Sequence, residues 1–264
     1  MTRRRRPEEE SPHIRSDISF ADYFSQIAEG YARYRPGYPP ALFEWLASLC
    51  PRRELAWDCA TGSGQAAIGL AAHFARVVAT DASAEQIERA TPHERVAYRV
   101  APAEDSGISG QSVDLITVAQ ALHWFELDRF YAEVRRVAAP GAVLAAWCYN
   151  LFSIDPLTDP VVNRFNFEVV SPYWPAERRL VDEEYRSLPF PFAEIDPPRF
   201  TMEERWDLAR VIGYLGTWSA VKRCREATGA DPIETLRPEL ERAWGDPSAA
   251  KTVRWPLGMR AGRI

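Results

Sequence analysis

The chain has 264 residues, 46% hydrophobic and 26% charged, with a net charge of -5. That length suffices for one large core or for a core domain with a cap, and the acidic balance excludes the basic surface that a nucleic-acid partner requires. No apolar run approaches the ~20 residues of a membrane span, and Cys50, Cys59, Cys148 and Cys224 form no C-x-x-C pair, as expected of buried thiols in a reducing cytoplasm.

Residues 1–17 open with Arg3 to Arg6 and Glu8 to Glu10, with no apolar stretch behind them, and read as a solvated, disordered tail rather than a signal peptide. From Phe20 the chain turns aromatic, through Tyr23, Phe24, Tyr31 and Tyr34 to Arg35 and Tyr38. Pro39 and Pro40 then introduce a helix, Ala41 to Leu49, with Leu42, Trp45, Leu46 and Leu49 on one face. Leu55 to Trp57 reads as a short buried strand ending in Asp58, followed by a turn holding Gly62 and Gly64 and a helix from Gln65 to Phe74. A strand that stops at glycines and restarts as a helix leaves backbone N–H groups facing an open crevice. Glycine also lets a ligand approach the backbone closely. The spacing Gly62-x-Gly64-x-x-Ala67 fits a nicotinamide-dinucleotide fingerprint as well. Asp58 discriminates, because a pyrophosphate loop gains nothing from an anion there whereas a ligand bearing an ammonium group does.

Arg76 to Thr80 predicts a second strand ending in Asp81, an acid placed to accept both ribose hydroxyls of a nucleoside. Ser83 to Gln86 has the form of a capping box and starts the next helix. Arg95 to Val100 is a third strand, leading into the turn Ala101 to Asp105. Val113 to Ala119 is the fourth and ends in Gln120-Ala121-Leu122-His123-Trp124-Phe125. The carboxyl ends of parallel strands face the ligand crevice, so this loop belongs to it. His123, with an unperturbed pKa of ~6.5, is the candidate general base, with an orienting or packing role left open. Trp124 and Phe125 either wall a cationic ligand or pack in the core. Asp128 to Val137 predicts a helix, Pro140-Gly141 a break, and Ala142 to Trp147 a fifth strand. Apolar strands alternating with helices mean a parallel sheet covered on both faces.

Beyond Asn150 prolines and aromatics crowd the chain, which suggests an insertion capping the crevice. It holds a predicted helix at Val161 to Val170, a strand at Phe200 to Trp206, and a helix started by Asp207 whose face runs on to Trp218, Lys222 and Arg223. Asp231-Pro232 opens a further helix that Pro238 is expected to interrupt. Thr252 to Leu257 reads as the last strand. The boundaries follow as a tail over 1–17, a cofactor-binding core over 18–150, a helical cap and substrate region over 151–250 that includes one core strand, and a final core strand over 251–264. The scattered histidines, His13, His73, His93 and His123, offer no metal-ligand set.

The form D-x-x-T-G-S-G-Q from Asp58 to Gln65, with AQALHWF from Ala119 to Phe125, resembles the class I S-adenosylmethionine-dependent methyltransferases. It is most similar to the methyltransferase type 11 branch that contains trans-aconitate methyltransferase-like enzymes. The resemblance implies an α/β fold, a doubly wound seven-stranded mostly parallel sheet with its last strand antiparallel, and a helical cap insertion. It implies S-adenosylmethionine as cofactor and a small, acidic metabolite as acceptor, methylated on oxygen, with neither nucleic acid nor membrane as partner. On this resemblance Asp58 lies near the methionine amino end, Asp81 binds the ribose hydroxyls, and Ala60, Thr61, Gly62, Gly64, Gln65, Ala82 and Ile87 are further cofactor-binding residues. Ala103 and Glu104 lie beside the adenine or belong to a solvated acidic turn, and Ala119 and Gln120 are further cofactor-binding candidates. Tyr23 and Arg35 fold over the cofactor, with Arg35 on the methionine carboxylate, or the aromatic segment merely packs on the core. Tyr31, Trp124 and Trp218 are candidates on the acceptor side, Lys222 and Arg223 either hold an acidic acceptor or form a solvated helix face, and His123 is the catalytic candidate. Ala60 departs from the glycine many such enzymes carry, and Pro102 stands where the family usually has an acid. A nicotinamide oxidoreductase and a non-catalytic nucleoside-binding protein are the competing classes, and oligomeric state leaves no mark on the sequence.

Overall fold

All five residues of β1, Leu55–Cys59, are buried, and so are all but the first of β2, Arg76–Asp81. Strands of that kind need cover on both faces. The computed structural model describes residues 36–264 and supplies that cover. Five parallel strands, with β3 at Val96–Val100, β4 at Val113–Ala119 and β5 at Ala138–Tyr149, run in the order β3-β2-β1-β4-β5. The sheet continues through β8, Lys251–Arg263, to β6, Ala193–Ile195. Since β8 is antiparallel to both β5 and β6, the last strand of the chain, sixth along the path, is the reversed one, as the resemblance implied.

The strand order reverses between β1 and β4, which opens a crevice at their carboxyl ends. One face of the sheet packs Leu55, Trp57, Val118 and Leu144 against Phe130 and Val134 of α4, Leu127–Val137. The other packs Ala56, Leu115 and Trp147 against α1, Pro40–Leu49, and α2, Gln65–Ala71. Asp114 ties the starts of β1 and β4 together by accepting from Glu54 N at 2.8 Å, Leu55 N at 3.2 Å and Arg52 Nη2 at 3.0 Å.

The helical region beyond β5 has a core of its own. Phe152, Trp206, Tyr214, Trp218 and Trp255 are buried together there with Leu236 and Leu240. Its helices are α5 at Asp159–Arg164, α6 at Arg178–Asp182, α7 at Leu208–Gly216, α8 at Ser219–Thr228 and α9 at Pro232–Trp244. The predicted helix over Val161 to Val170 is α5 followed by a wide turn, Phe165–Val169, in which Val170 N bonds Phe165 O at 3.0 Å. No described helix is long and apolar enough to cross a membrane.

Three expectations need correction. The strand predicted at Phe200 to Trp206 exists as β7, Thr201–Trp206, but it pairs with β8 outside the main path, whereas the strand completing the sheet is β6. β8 is 13 residues long and runs well past Leu257. Gly258 and Gly262 mimic a strand end in sequence, yet a Cβ at Gly258 would lie 2.3 Å from Glu184 Cγ and one at Gly262 2.7 Å from Phe190 Cε1, so they are close-approach glycines. Pro238 does not interrupt α9, because the exposed proline sits between Ile233, Leu236, Leu240 and Trp244, whose burial holds the helix together.

Candidate functional site

The turn after β1 is built from left-handed residues, with φ of 55° at Ala60, 56° at Gly62 and 89° at Gly64. Gly64 is also required by space, since a Cβ there would lie 2.3 Å from Tyr98 Oη. Ala60 holds a conformation that costs a non-glycine residue roughly 1–2 kcal/mol, the physical reason a glycine suits this position. The turn bends Thr61 back so that its hydroxyl donates to Asp58 Oδ2 at 2.5 Å, while Thr117 Oγ1 donates to Asp58 Oδ1 at 2.8 Å.

Asp58 is fully buried. Burial pushes its carboxyl up to about 6, against the pull of the Thr61 and Thr117 hydroxyls. Asp58 thus lies beneath the loop, its two oxygens bonded by Thr61 and Thr117, and is not itself a lining residue of the crevice.

Asp81 stands where β2 ends and is 6% exposed. Its Oδ2 accepts from Gly62 N at 2.9 Å and its Oδ1 from Ser83 N at 2.9 Å. Burial raises its carboxyl pKa, and the two N–H bonds work against the rise. Ser83 caps α3, Ala84–Glu88, accepting from Gln86 N at 3.3 Å as the capping box predicted.

Thr61, Gly62, Asp81 and Gln86 line a crevice at the carboxyl ends of β1 and β4. Of the expected residues it brings together Ala60, Thr61, Gly62, Gln65, Asp81, Ala119 and Gln120. Gln120 takes a positive φ of 59°, its N donates to Trp147 O at 2.8 Å, and its Nε2 donates to Tyr149 O at 2.9 Å. Sequence reasoning missed Tyr38, Ser63, Gln86 and Tyr149, which also line the crevice. Tyr149 closes β5, so the strand-end rule applied to a correctly bounded β5 would have found it.

Other expected residues do not themselves line the crevice, although Gly64 lies between Ser63 and Gln65 and Ala82 follows Asp81, which do. Gly64, Ala82, Ile87, Ala103 and Glu104 are not lining residues, and Glu104 Oε1 instead accepts from Glu126 N at 3.3 Å. Lys222 and Arg223 are not on the crevice, and Lys222 lies 4.0 Å from Glu226 on the same helix. Trp218 is 8% exposed and packs on Phe152, Phe165, Trp174 and Tyr214 in the cap. Spacing along α8 showed a shared helix face but not which way the face turned. Tyr23, Tyr31 and Arg35 lie outside the described residues.

His123 follows in the same loop, on the short turn Leu122–Trp124. Its Nδ1 lies 3.0 Å from Tyr185 Oη and its ring centroid 4.9 Å from that of Trp124. Burial, aided by the Arg178 charge, depresses its pKa to about 4.

A family model described as a methyltransferase domain matches residues 57–146, the span from β1 into β5. A candidate methyltransferase of Dictyostelium discoideum is 33% identical over 235 residues, covering 88% of this chain and 89% of its own. A candidate S-adenosylmethionine-dependent methyltransferase of Saccharomyces cerevisiae is 29% identical over 128 residues, covering 45% of this chain and 44% of its own, so the chain spans under half of that relative. Among solved structures, a candidate type II methyltransferase from Anaeromyxobacter dehalogenans is 52% identical with a TM-score of 0.84, covering 87% of this chain and 98% of its own.

Proposed function

The chain belongs to the class I S-adenosylmethionine-dependent methyltransferases, and from that premise we propose that it methylates an oxygen of a small, acidic metabolite at the crevice above β1 and β4. The observation that carries the cofactor's place is Asp81, a carboxylate on the crevice already oriented by Gly62 N and Ser83 N. A Cβ built on Gly62 would meet nothing nearer than Gln86 Oε1 at 3.9 Å, so the loop leaves the room a bound ligand needs. The residues fit the group. Asp81 would take the ribose hydroxyls, and the loop Ala60 to Gln65 would receive the methionine end. Asp58 would hold that loop in shape through Thr61, and Tyr38 and Tyr149 would wall the crevice.

S-adenosylmethionine supplies a sulfonium methyl that is already activated. What remains for the protein is to hold the acceptor in line with it and keep water out, and positioning of this kind supplies ~7–11 kcal/mol of barrier reduction. A carboxylate acceptor is nucleophilic as it stands, so such a reaction runs without a base. The acidic acceptor rests on the resemblance to the trans-aconitate methyltransferase-like branch.

Binding of S-adenosylmethionine, measured by calorimetry, should weaken at least tenfold in Asp81→Ala, since hydrogen bonds to a charged group contribute about 1.5–3 kcal/mol. An affinity within twofold of the parent would remove Asp81 from the site. Transfer of labelled methyl into a panel of small carboxylic acids, with the product tested for base-labile ester, decides the acceptor. Label confined to amines or thiols would overturn the oxygen reading.

A further inference from the structure

Tyr185 is a fully buried phenol on an unusual piece of backbone. It and Glu184 both adopt left-handed conformations, with φ of 61° and 53°, and consecutive non-glycine residues of this kind persist only where the surroundings over-determine them. The surroundings do so here. Glu184 lies across Gly258 of β8, where a Cβ would come within 2.3 Å of it. Val181, just upstream, is tied to the end of β5, its carbonyl accepting from Asn150 Nδ2 at 3.1 Å and Cys148 Sγ at 3.6 Å. The turn is thereby clamped between two strands, and it delivers the Tyr185 hydroxyl to His123 Nδ1 at 3.0 Å.

That contact fixes a proton. A neutral imidazole carries one N–H, and the other nitrogen is an acceptor. If Nδ1 held the hydrogen, the buried Tyr185 hydroxyl would need a second acceptor for its own, whereas the side chain it bonds among the described residues is His123. Buried donors are almost always paired, so the arrangement that pairs the hydroxyl through this contact has Tyr185 donating, Nδ1 accepting and the imidazole hydrogen on Nε2. Nε2 has no protein partner among the described residues and is not one of the enclosed, unsatisfied atoms, so it opens onto accessible space. His123 is not itself a lining residue but stands two residues past Ala121, which lines the crevice. Just past the end of β5, Asn150 Oδ1, next to the lining residue Tyr149, is buried with no partner among the described residues.

We propose that His123 binds the acceptor molecule as a hydrogen-bond donor through Nε2–H, held in that tautomer by Tyr185 as a positioning residue, and that it takes no proton from it. This rests on the methyltransferase reading above and narrows it to acceptors that arrive as oxyanions. A carboxylate oxygen forms the new bond to the methyl carbon while the carbon–sulfur bond breaks onto sulfur, the cationic sulfonium becoming a neutral thioether with no proton released. Nε2–H is then free to hold the oxygen that does not attack. The charged and titratable groups facing the pair agree with this role. Arg178 opposes a cationic His123, and Cys148, beside Tyr185, is held neutral by burial.

Nitrogen NMR of histidine-labelled full-length protein without ligand reads the tautomer directly. His123 should show a protonated Nε2 and an unprotonated Nδ1 throughout pH 5.5–8, and Tyr185→Phe should mix the two forms. A protonated Nδ1 in the parent overturns the proposal. In kinetics His123→Gln, whose amide can donate near the Nε2 position but cannot act as a base, should keep kcat within about tenfold. His123→Ala should lose ~10–100-fold in kcat/KM, and the parent profile should be flat over the same pH range. His123→Gln as inactive as His123→Ala, with an acid limb in the parent profile, overturns it equally. A parent that methylates no acid would instead fail the proposed function, and the NMR result would still decide the tautomer.

Discussion

At the scale of single residues the site is governed by where charge is buried. Asp58 and Asp81 stand at the ends of adjacent strands, but only Asp81 reaches the crevice, because Thr61 and Thr117 enclose Asp58. The enclosure has a sign. The Asp58 carboxyl is raised from 3.8 to about 6 in the folded protein, so the native state binds a proton that the unfolded chain has released between those values. Its contribution to stability is complete below about 3.8 and lost as pH rises through about 6. Asp58→Asn should remove that loss, and urea unfolding at pH 4 and pH 6.5 should show a smaller fall in stability for the variant than for the parent. An unchanged fall would mean that Asp58 is charged in the fold at both pH values. Ala60, at φ 55°, invites the opposite kind of change. Ala60→Gly should stabilise the protein by about 1 kcal/mol by relieving a left-handed alanine, visible as a higher unfolding midpoint with cofactor affinity retained. A lower midpoint would show that the alanine methyl packs more favourably than its backbone is strained.

At the scale of elements, packing repeatedly overrides local preference. α9 runs unbroken through Pro238 because its apolar side is buried in the cap while the proline faces outward. A proline inside a helix nevertheless forgoes a backbone hydrogen bond, at up to ~3 kcal/mol relative to alanine. Pro238→Ala should therefore raise stability by about 1–3 kcal/mol, measured by chemical denaturation, and a loss would mean that the ring itself supports the fold. β5 behaves similarly. Pro140 and Gly141, expected as a break, lie inside the strand at a register shift against β4 between Val113 and Leu115. β1, β2 and β4 were readable because burial on both faces leaves only apolar runs. β6 was not, because its three residues Ala193, Glu194 and Ile195 carry no pattern and owe their strand conformation to pairing with β8.

For the whole molecule β8 is the element that matters most. Its first half pairs with β7 and buries Val253 and Trp255 in the cap, and its second half pairs with β5 and β6 and buries Ala261 against the sheet. One continuous strand thus serves both cores. Trp255 is fully buried, with Phe152, Trp206 and Tyr214 around it and its Nε1 donating to Tyr214 Oη at 3.2 Å. Trp255→Ala should cost about 3–5 kcal/mol. Because β8 joins the two cores, near-ultraviolet and far-ultraviolet dichroism should report one shared unfolding transition, lowered in the variant. Two separated transitions would show that the cap unfolds independently of the sheet.

The sequence by itself determined the reaction class and the frame of the site. The buried strands, the left-handed turn at Gly62 and Gly64 and the acid at Asp81 are local features whose meaning comes from backbone geometry a few residues long. Only the tertiary structure decided which charges meet the crevice. It placed Asp58 beneath the loop, turned Trp218 into the cap core, kept Lys222 and Arg223 off the crevice, and brought Tyr185 to His123 across 62 positions of chain. Burial and long-range hydrogen bonding depend on what elements far apart in the chain pack against one another, and no spacing within one element records that.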